Sequence, residues 1–112
     1  MTPALAVRFY RARQGREPVR EWVRSLPADA HRRMGEDIKT VQLGWLLGMT
    51  LVRKMEPGSW EMRSHLSDGI ARVLCTAVGA DRVLLHGFIN KTQRTPRDDL
   101  RTAQQRRNEV QA

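Results

Sequence analysis

Apolar positions in the first 44 residues follow a strand pattern and then two helical patterns. Residues from Ala4 to Tyr10 are rich in β-forming side chains, so they predict a short strand. From Pro18 to Leu26, apolar residues recur at helical spacing, and a proline suits the first helical turn. A second helix is predicted from Ala28 to Gly44, because glycine favours the end of a helix. The apolar stripe of this second helix consists of Ala30, Met34, Ile38 and Val41.

Beyond a glycine-punctuated loop from Gly44 to Gly48, the period of the apolar residues changes from helical to strand-like. Three strands are predicted, at Ser59–Leu66, Ile70–Val78 and Arg82–Ile89. Short Gly/Asp turns connect them, so consecutive strands form antiparallel hairpins. Because side chains alternate along a strand, each strand has an apolar face that rests on the two helices and a second, more open face.

The open face of this predicted sheet carries cationic and imidazole side chains. Alternation places four of them there: Arg63, His65, Arg72 and His86. The same face keeps large apolar residues, namely Ile70, Leu74, Leu84 and Phe88. A partly apolar surface that holds cations suits a nucleic-acid base above its phosphate. The alternative is that the arginines pair with Glu61 and neighbouring acids and only make the sheet soluble.

The segment from Asn90 to Arg97 has three positive charges and no acidic residue. Thr95 is predicted as the N-cap of a C-terminal helix, with Pro96 at the first helical position and Asp98 three residues after the cap. The positive end of this helix lies near Lys91 and Arg94, which makes a candidate phosphate site. The helix has a thin apolar stripe, so we expect it to pack on an edge of the domain and to fray over residues 108–112.

Composition favours one compact α+β domain with an anionic partner. The chain has 112 residues and a net charge of +8, spread along its length rather than collected in a tail. Its single cysteine, Cys75, lies in an apolar segment and is expected to be a buried hydrophobe. We find neither a secretory signal nor an apolar run long enough to span a membrane, and therefore expect a soluble cytoplasmic protein.

A metal site is not expected from the sequence. The potential ligands His31, His65, His86 and Cys75 lie in separate elements, and no acidic cluster with ligand spacing accompanies them. We therefore expect neither a metal ion nor another cofactor.

Three segments together resemble a known family: Leu51–His65, Gly69–Leu74 and Leu84–Pro96. They are similar to the phage-derived HigB-type toxins of the RelE superfamily, and the likeness extends over roughly Leu43 to Arg107. Family members commonly have two lysines after the Phe-x of this motif, whereas here the first is Asn90 and Lys91 stands alone. The resemblance implies a single RelE/ParE-like domain over residues 1–112: a small antiparallel sheet, an N-terminal helical hairpin packed on one face, and a C-terminal helix.

The same resemblance implies the toxin of a type II toxin–antitoxin system. Such a toxin is a metal-independent, ribosome-dependent mRNA endoribonuclease that inhibits translation. It is silenced by a helix-turn-helix, HigA-like antitoxin, and it meets operator DNA only through the antitoxin complex. The alternative is a non-enzymatic protein of the same fold, either a ParE-like inhibitor of DNA gyrase or an inactive partner that sequesters its antitoxin.

Metal-independent RNA cleavage needs a proton acceptor for the ribose 2′-OH, cations for the phosphorane and a proton donor for the 5′-oxygen. We expect Arg63 and Arg72 to stabilise the phosphorane, and Lys91 to neutralise charge or assist proton transfer. His86 is the candidate acid or base, because imidazole exchanges protons near neutral pH. Alternatively, His86 is a hydrogen-bonded packing residue. Phosphate contacts are expected from Arg53, Lys54, His65 and Arg94.

Overall fold

Over the part of the chain that the structure describes, the fold is an α+β arrangement of three helices and one five-stranded sheet. The computed structural model describes residues 6–43, 52–56, 58–92 and 94–111. Along the chain the elements are β1 (Ala6–Phe9), α1 (Pro18–Ser25), α2 (Ala28–Leu43), β2 (Val52–Glu56), β3 (Ser59–Leu66), β4 (Gly69–Val78), β5 (Asp81–Asn90) and α3 (Arg97–Gln111). The strand order is β1-β5-β4-β3-β2. The meander of β3 to β5 is antiparallel as predicted. Strand β2 joins it antiparallel to β3, whereas β1 pairs with β5 in parallel, so the sheet is mixed.

Both N-terminal helices match their predicted bounds to within about a residue. Pro18 opens α1 without losing a helical hydrogen bond, and the following Leu-Pro pair stops it. The two helices cover one face of the sheet, where Val19 and Met34 are buried against β-strand side chains. The first two positions of the predicted N-terminal strand, residues 4–5, and the predicted loop over residues 44–48 lie outside the described residues.

Strand β2 was not predicted as a strand. It has only five residues, two of which, Arg53 and Lys54, are exposed cations, so apolar alternation is too weak to reveal it. Its hydrogen bonds to β3 define it instead, with Arg53 opposite Glu61 and Lys54 opposite Trp60. It is one of the two edge strands of the sheet, where charged side chains discourage further pairing.

A β-bulge between β4 and β5 changes the predicted faces of β5. Leu74 pairs with His86, whereas the next residue, Cys75, pairs with Leu84, so Leu85 is the extra residue. Leu84 consequently packs in the core beneath α1 and α2, and Val83 and Leu85 pack on the opposite face. The prediction that Leu84 lies on the open face was wrong, because strict alternation cannot anticipate an inserted residue.

The second face of the sheet is covered by α3, which contacts β4 and β5. The prediction that this helix packs on an edge was wrong, since β4 and β5 are interior strands. Its single buried residue, Ala103, joins a second hydrophobic cluster with Tyr10, Leu74, Val83 and Leu85. The helix continues to Gln111, whose side-chain amide donates hydrogen bonds to Thr76 Oγ1 and Ala77 O at 3.0 and 3.2 Å.

Among the helices of the described ranges, none combines the length and the apolar character needed to cross a bilayer.

Candidate active site

A buried arginine lies at the centre of the sheet face that the sequence predicts to be open. Arg72 has no exposed side-chain surface, and all three of its guanidinium nitrogens donate hydrogen bonds. Nε donates to Asn90 Oδ1 at 2.8 Å, Nη1 to Glu61 Oε1 at 2.6 Å and Nη2 to Thr92 O at 2.6 Å. The prediction that Arg72 lies on a less buried face was wrong, because α3 and the segment before it cover this part of the sheet.

The acid that pairs with Arg72 also anchors the start of α3. Glu61 is fully buried, and its Oε2 accepts a hydrogen bond of 2.7 Å from the Thr95 hydroxyl. Thr95 is therefore not the predicted N-cap: α3 begins at Arg97, and Pro96 O accepts the first helical bond from Leu100 N at 3.1 Å. We call Glu61, Arg72, Asn90, Thr92 and Thr95 the Arg72 network.

Asn90 also belongs to the Arg72 network. Its Oδ1 accepts from Arg72, and its Nδ2 donates to Arg94 O at 2.9 Å. A lysine has no acceptor, so it cannot receive the Arg72 Nε–H. Asn90 thus connects Arg72 in the sheet to Arg94, close to the start of α3.

Arg63 is a cation near Arg72, but its side chain is more accessible to solvent. The two arginines are directly opposite each other on β3 and β4. The Arg63 side chain is 29% exposed, and its Nε lies 3.8 Å from Glu61 Oε1. Like charges opposite each other destabilise a sheet, and the shared carboxylate offsets this repulsion. Two arginines with one glutamate leave a net positive charge on this part of the surface.

His86 forms a second polar group, beside α3. Its Nε2 lies 2.5 Å from Asp99 Oδ1, and its ring stacks on Phe88. Its Nδ1 lies 3.5 Å from Arg106 Nη1, which also donates to Leu85 O at 2.8 Å. Because arginine has only donors, Nδ1 is the accepting nitrogen, and Nε2 carries the proton and donates it to Asp99. Asp99 therefore holds one tautomer of a ring whose side chain is 20% exposed.

Sequence reasoning missed Asp99 and Arg106. They lie seven residues apart, which is two helical turns, so they occupy the same face of α3. The sequence signal that could have identified these two residues is their seven-residue spacing, in a helix whose first turn is acidic. The Arg106 guanidinium also lies 5.3 Å from the centre of the Tyr10 ring, and the Tyr10 hydroxyl donates to Glu109 at 3.0 Å. Burial, followed by this hydrogen bond, raises the pKa of Tyr10.

The remaining predicted residues are distributed over the surface. Arg53 is exposed on the same face as Glu61, whereas its neighbour Lys54 belongs by alternation to the opposite face. His65 and Lys91 are exposed and line one shallow pocket beside the β3–β4 turn. Arg94 is also exposed. The structure thus brings together Arg53 with Arg63 and His65 with Lys91, but it does not bring Lys54 to this face.

The four predicted catalytic residues do not converge on one atom. Arg63 and His86 are two strands apart and two register positions offset, which corresponds to about 12 Å between their Cα atoms. Arg72 lies buried between them. The arrangement therefore offers two accessible groups, a cation at Arg63 and an oriented imidazole at His86, on a face wide enough for more than one nucleotide.

The described residues contain neither a cluster of potential metal ligands nor an exposed thiol. In residues 6–43, 52–56, 58–92 and 94–111, no group of three or more His, Cys, Asp or Glu side chains is placed to hold a metal ion. Burial raises the pKa of the Cys75 thiol to about 12, so this cysteine stays protonated and is a poor nucleophile.

Sequence comparison gives the family of the chain. The sequence pattern of the phage-derived Gp49-like proteins (DUF891) matches residues 21–108, which include every element from most of α1 to most of α3. No curated protein sequence matches the chain significantly. Since the match covers well over half of the 112 residues, the chain belongs to the phage-derived Gp49-like family, which is a HigB-like toxin family.

Proposed function

We propose that this protein is the toxin of a type II toxin–antitoxin system, that it has a RelE/ParE-like fold, and that it acts in the cytoplasm by cleaving mRNA on the ribosome. Family membership supports the toxin role and implies an antitoxin partner. The net charge of +8 favours binding to RNA and to the RNA-rich ribosome. The partner in this proposal is a helix-turn-helix, HigA-like antitoxin, and operator DNA is contacted only through that complex.

The observation that carries the proposal is the oriented imidazole of His86 on the same sheet face as the Arg63 cation. In the proposed reaction, the ribose 2′-OH attacks the adjacent phosphorus to form a 2′,3′-cyclic phosphate, and the 5′-oxygen leaves as a hydroxyl group that takes its proton from solvent. Nδ1 of His86 accepts the 2′-OH proton, after the long contact with Arg106 is released. Asp99 acts as a positioning residue, since it stabilises the imidazolium that forms.

Charge on the phosphorane is neutralised in this proposal by Lys91 and by Arg63, whose long side chain must extend toward His86 across the roughly 12 Å between their Cα atoms. Each preorganised cation contributes about 10²–10³ in rate, by analogy with the loss of one oxyanion-hole donor. Arg53, His65 and Arg94 bind the neighbouring phosphates of the RNA. Lys54 contacts the RNA only where the RNA passes around the edge of the β-sheet. A direct role for Arg72 stays a prediction, because a phosphate reaches its guanidinium only if the Lys91–Pro96 segment moves.

The proposal is tested by inducing the chain in cells and mapping new mRNA 5′ ends. We expect new ends that carry 5′-hydroxyl groups, as 2′-OH attack requires. His86→Gln should lower cleavage by about 10²–10⁴, the usual contribution of an acid–base group. His31→Gln is the matched control, because His31 is exposed on α2 and lies outside the candidate site. Equal cleavage by both variants would contradict the assignment of His86.

A second candidate function is supported by the burial of Arg72. All three guanidinium nitrogens of Arg72 donate hydrogen bonds within the protein, and its side chain is fully buried. This arrangement is also compatible with a protein that binds a partner without catalysis, such as a ParE-like gyrase inhibitor or an inactive antitoxin partner. The same induction experiment separates the two functions. Growth arrest with intact transcripts and supercoiling-defective DNA indicates gyrase inhibition, and antitoxin binding without growth arrest indicates an inactive partner.

A further inference from the structure

A cavity of about 190 Å³ lies between α3 and the part of the sheet formed by β2, β3, β4 and β5. Its apolar lining includes Met55, Leu74, Leu85 and Leu100, and its polar groups include Gln104 and Arg107. The cavity is separate from the His86–Asp99 pair, because neither residue lines it. The proposed reaction assigns no role to it.

The size and chemistry of this cavity suit one aromatic base. A closed apolar cavity of about 150 Å³ is large enough to hold benzene, so this one admits a larger flat ring system. It is smaller than the roughly 300–1,000 Å³ of sites for drug-sized ligands, which argues against a whole nucleotide inside it. Its described lining contains no acidic residue, so nothing there repels an attached phosphate.

Polar groups at the cavity are suited to the edge of a base. The Gln104 side chain is exposed, and its amide has both a donor and an acceptor, which is the pattern that pairs with a base edge in two hydrogen bonds. Arg107 Nη1 donates to Ser59 Oγ at 2.7 Å, and this bond fixes the guanidinium against β3. The cavity thus has an exposed amide at Gln104 beside a positive charge that Ser59 holds in place.

The cavity lies on the same sheet face as the cations of the candidate site. Ser59 lines the cavity, and Glu61, which faces Arg53, lies two residues further along β3, a distance of about 7 Å. Arg63 follows two residues beyond Glu61. A nucleotide with its base in the cavity therefore has cations available for its phosphate on the adjacent strands.

We propose that this cavity binds one unpaired purine base of the RNA substrate and gives the toxin its base preference next to the cleavage site. The inference rests on the proposed function for the identity of the ligand. Purines are favoured because the cavity exceeds the size needed for a single six-membered ring, and because a larger ring system buries more apolar surface.

Nucleotide titration followed by NMR tests the proposal without requiring cleavage. The purified protein is titrated with AMP, GMP, CMP, UMP and inorganic phosphate while the methyl resonances of Met55 and Leu85 and the backbone amide resonances of Arg53 and Arg63 are observed. We expect saturable shifts with AMP or GMP, at least tenfold weaker binding of CMP and UMP, and no methyl shifts with inorganic phosphate. Shifts confined to Arg53 and Arg63 and reproduced by inorganic phosphate would overturn the proposal, as would equal binding of all four nucleotides.

Two variants and a control make the assignment specific. Leu100→Trp fills the cavity and should weaken purine binding at least tenfold. Gln104→Ala changes only an exposed side chain, so it keeps the test valid if the larger substitution unfolds the protein; it should reduce the purine preference at least threefold. The control is Gln105→Ala, an exposed neighbour that does not line the cavity and should bind like the wild type. Unchanged purine binding in a folded Gln104→Ala protein would contradict the role of Gln104 and overturn the proposed readout.

Purine binding and mRNA cleavage are measured separately, so the experiments distinguish an error in the base-binding proposal from an error in the proposed nuclease function. Cleavage of mRNA by a protein that shows no methyl shifts refutes the base cavity and leaves the nuclease. Purine binding in the cavity of a protein that cleaves no mRNA refutes the nuclease and leaves a purine site. In cleaving protein, Leu100→Trp should also remove the preference for a purine beside the cut.

Discussion

Replacement of Arg72 with methionine is the perturbation whose size the structure defines best. The change removes three hydrogen bonds, to Asn90, Glu61 and Thr92, and leaves the Glu61 carboxylate buried with Thr95 and the more distant Arg63. Breaking a buried ion pair by removing one partner costs about 3–5 kcal/mol, because the remaining charge is uncompensated. We expect the free energy of unfolding to fall by this amount.

The expected loss corresponds to a large shift in thermal stability. For a domain of this size, 1 kcal/mol changes Tm by roughly 4 °C, so Arg72→Met should lower Tm by about 12–20 °C. Urea denaturation gives the change in free energy directly, provided that the m-value stays constant. The matched control is Arg63→Met, which removes a partly exposed cation at 3.8 Å from the same carboxylate and should cost less than about 1 kcal/mol.

A double variant shows whether the Arg72–Glu61 pair is the cause. Adding Glu61→Gln to Arg72→Met removes the stranded charge, so the combined loss should be smaller than the sum of the single losses by about 1–3 kcal/mol. The reasoning is refuted if Arg72→Met destabilises the protein no more than Arg63→Met does. Arg72 would then have no structural role and would be a stronger candidate for direct phosphate contact.

Three further predictions concern single side chains. Asp99→Asn should lower mRNA cleavage about tenfold to a hundredfold, measured by 5′-end mapping. Thermal unfolding should show a Tm within about 3 °C of the wild type. Unchanged cleavage would show that Asp99 has no role in the mechanism. Cys75, with a pKa of about 12 in the folded state, should react with a thiol reagent at pH 8 only after denaturation, and rapid labelling of native protein would show that it is not buried. The raised pKa of Tyr10 means that the folded state holds the phenol proton more tightly, so its stabilising contribution is present below the ordinary value of 10.0 and is lost as pH rises above it. Tyr10→Phe should therefore lose less stability than the wild type as the pH rises above the ordinary tyrosine pKa of 10.0, as measured by urea denaturation at a series of pH values.

The sequence predicts most of the fold where the apolar period is strong. Helices α1 and α2 and strands β3 and β4 appear in the structure close to their predicted bounds, because each has a regular apolar stripe or alternation. Strand β2 lacks such a pattern and depends on hydrogen bonds to β3, which are contacts between different strands. The bulge at Leu85 is likewise a property of two paired strands, so the sequence of β5 alone does not show it.

The candidate site is less predictable, because its character depends on what covers the sheet. Alternation correctly places Arg63, Arg72 and His86 on one face. It cannot show that α3 crosses that face, that Glu61 is buried with Arg72, or that Asp99 lies against His86. These facts follow from tertiary packing, which converts an apparently open cationic face into a buried ion pair and an oriented imidazole.

The most direct test of the central claim is RNA cleavage by this chain. Wild-type protein and His86→Gln are induced separately, and mRNA 5′ ends are mapped with a method that distinguishes 5′-hydroxyl from 5′-phosphate groups. The account predicts abundant new 5′-hydroxyl ends with the wild type and about 10²–10⁴ fewer with His86→Gln. Growth arrest by the wild type with transcripts intact would contradict it.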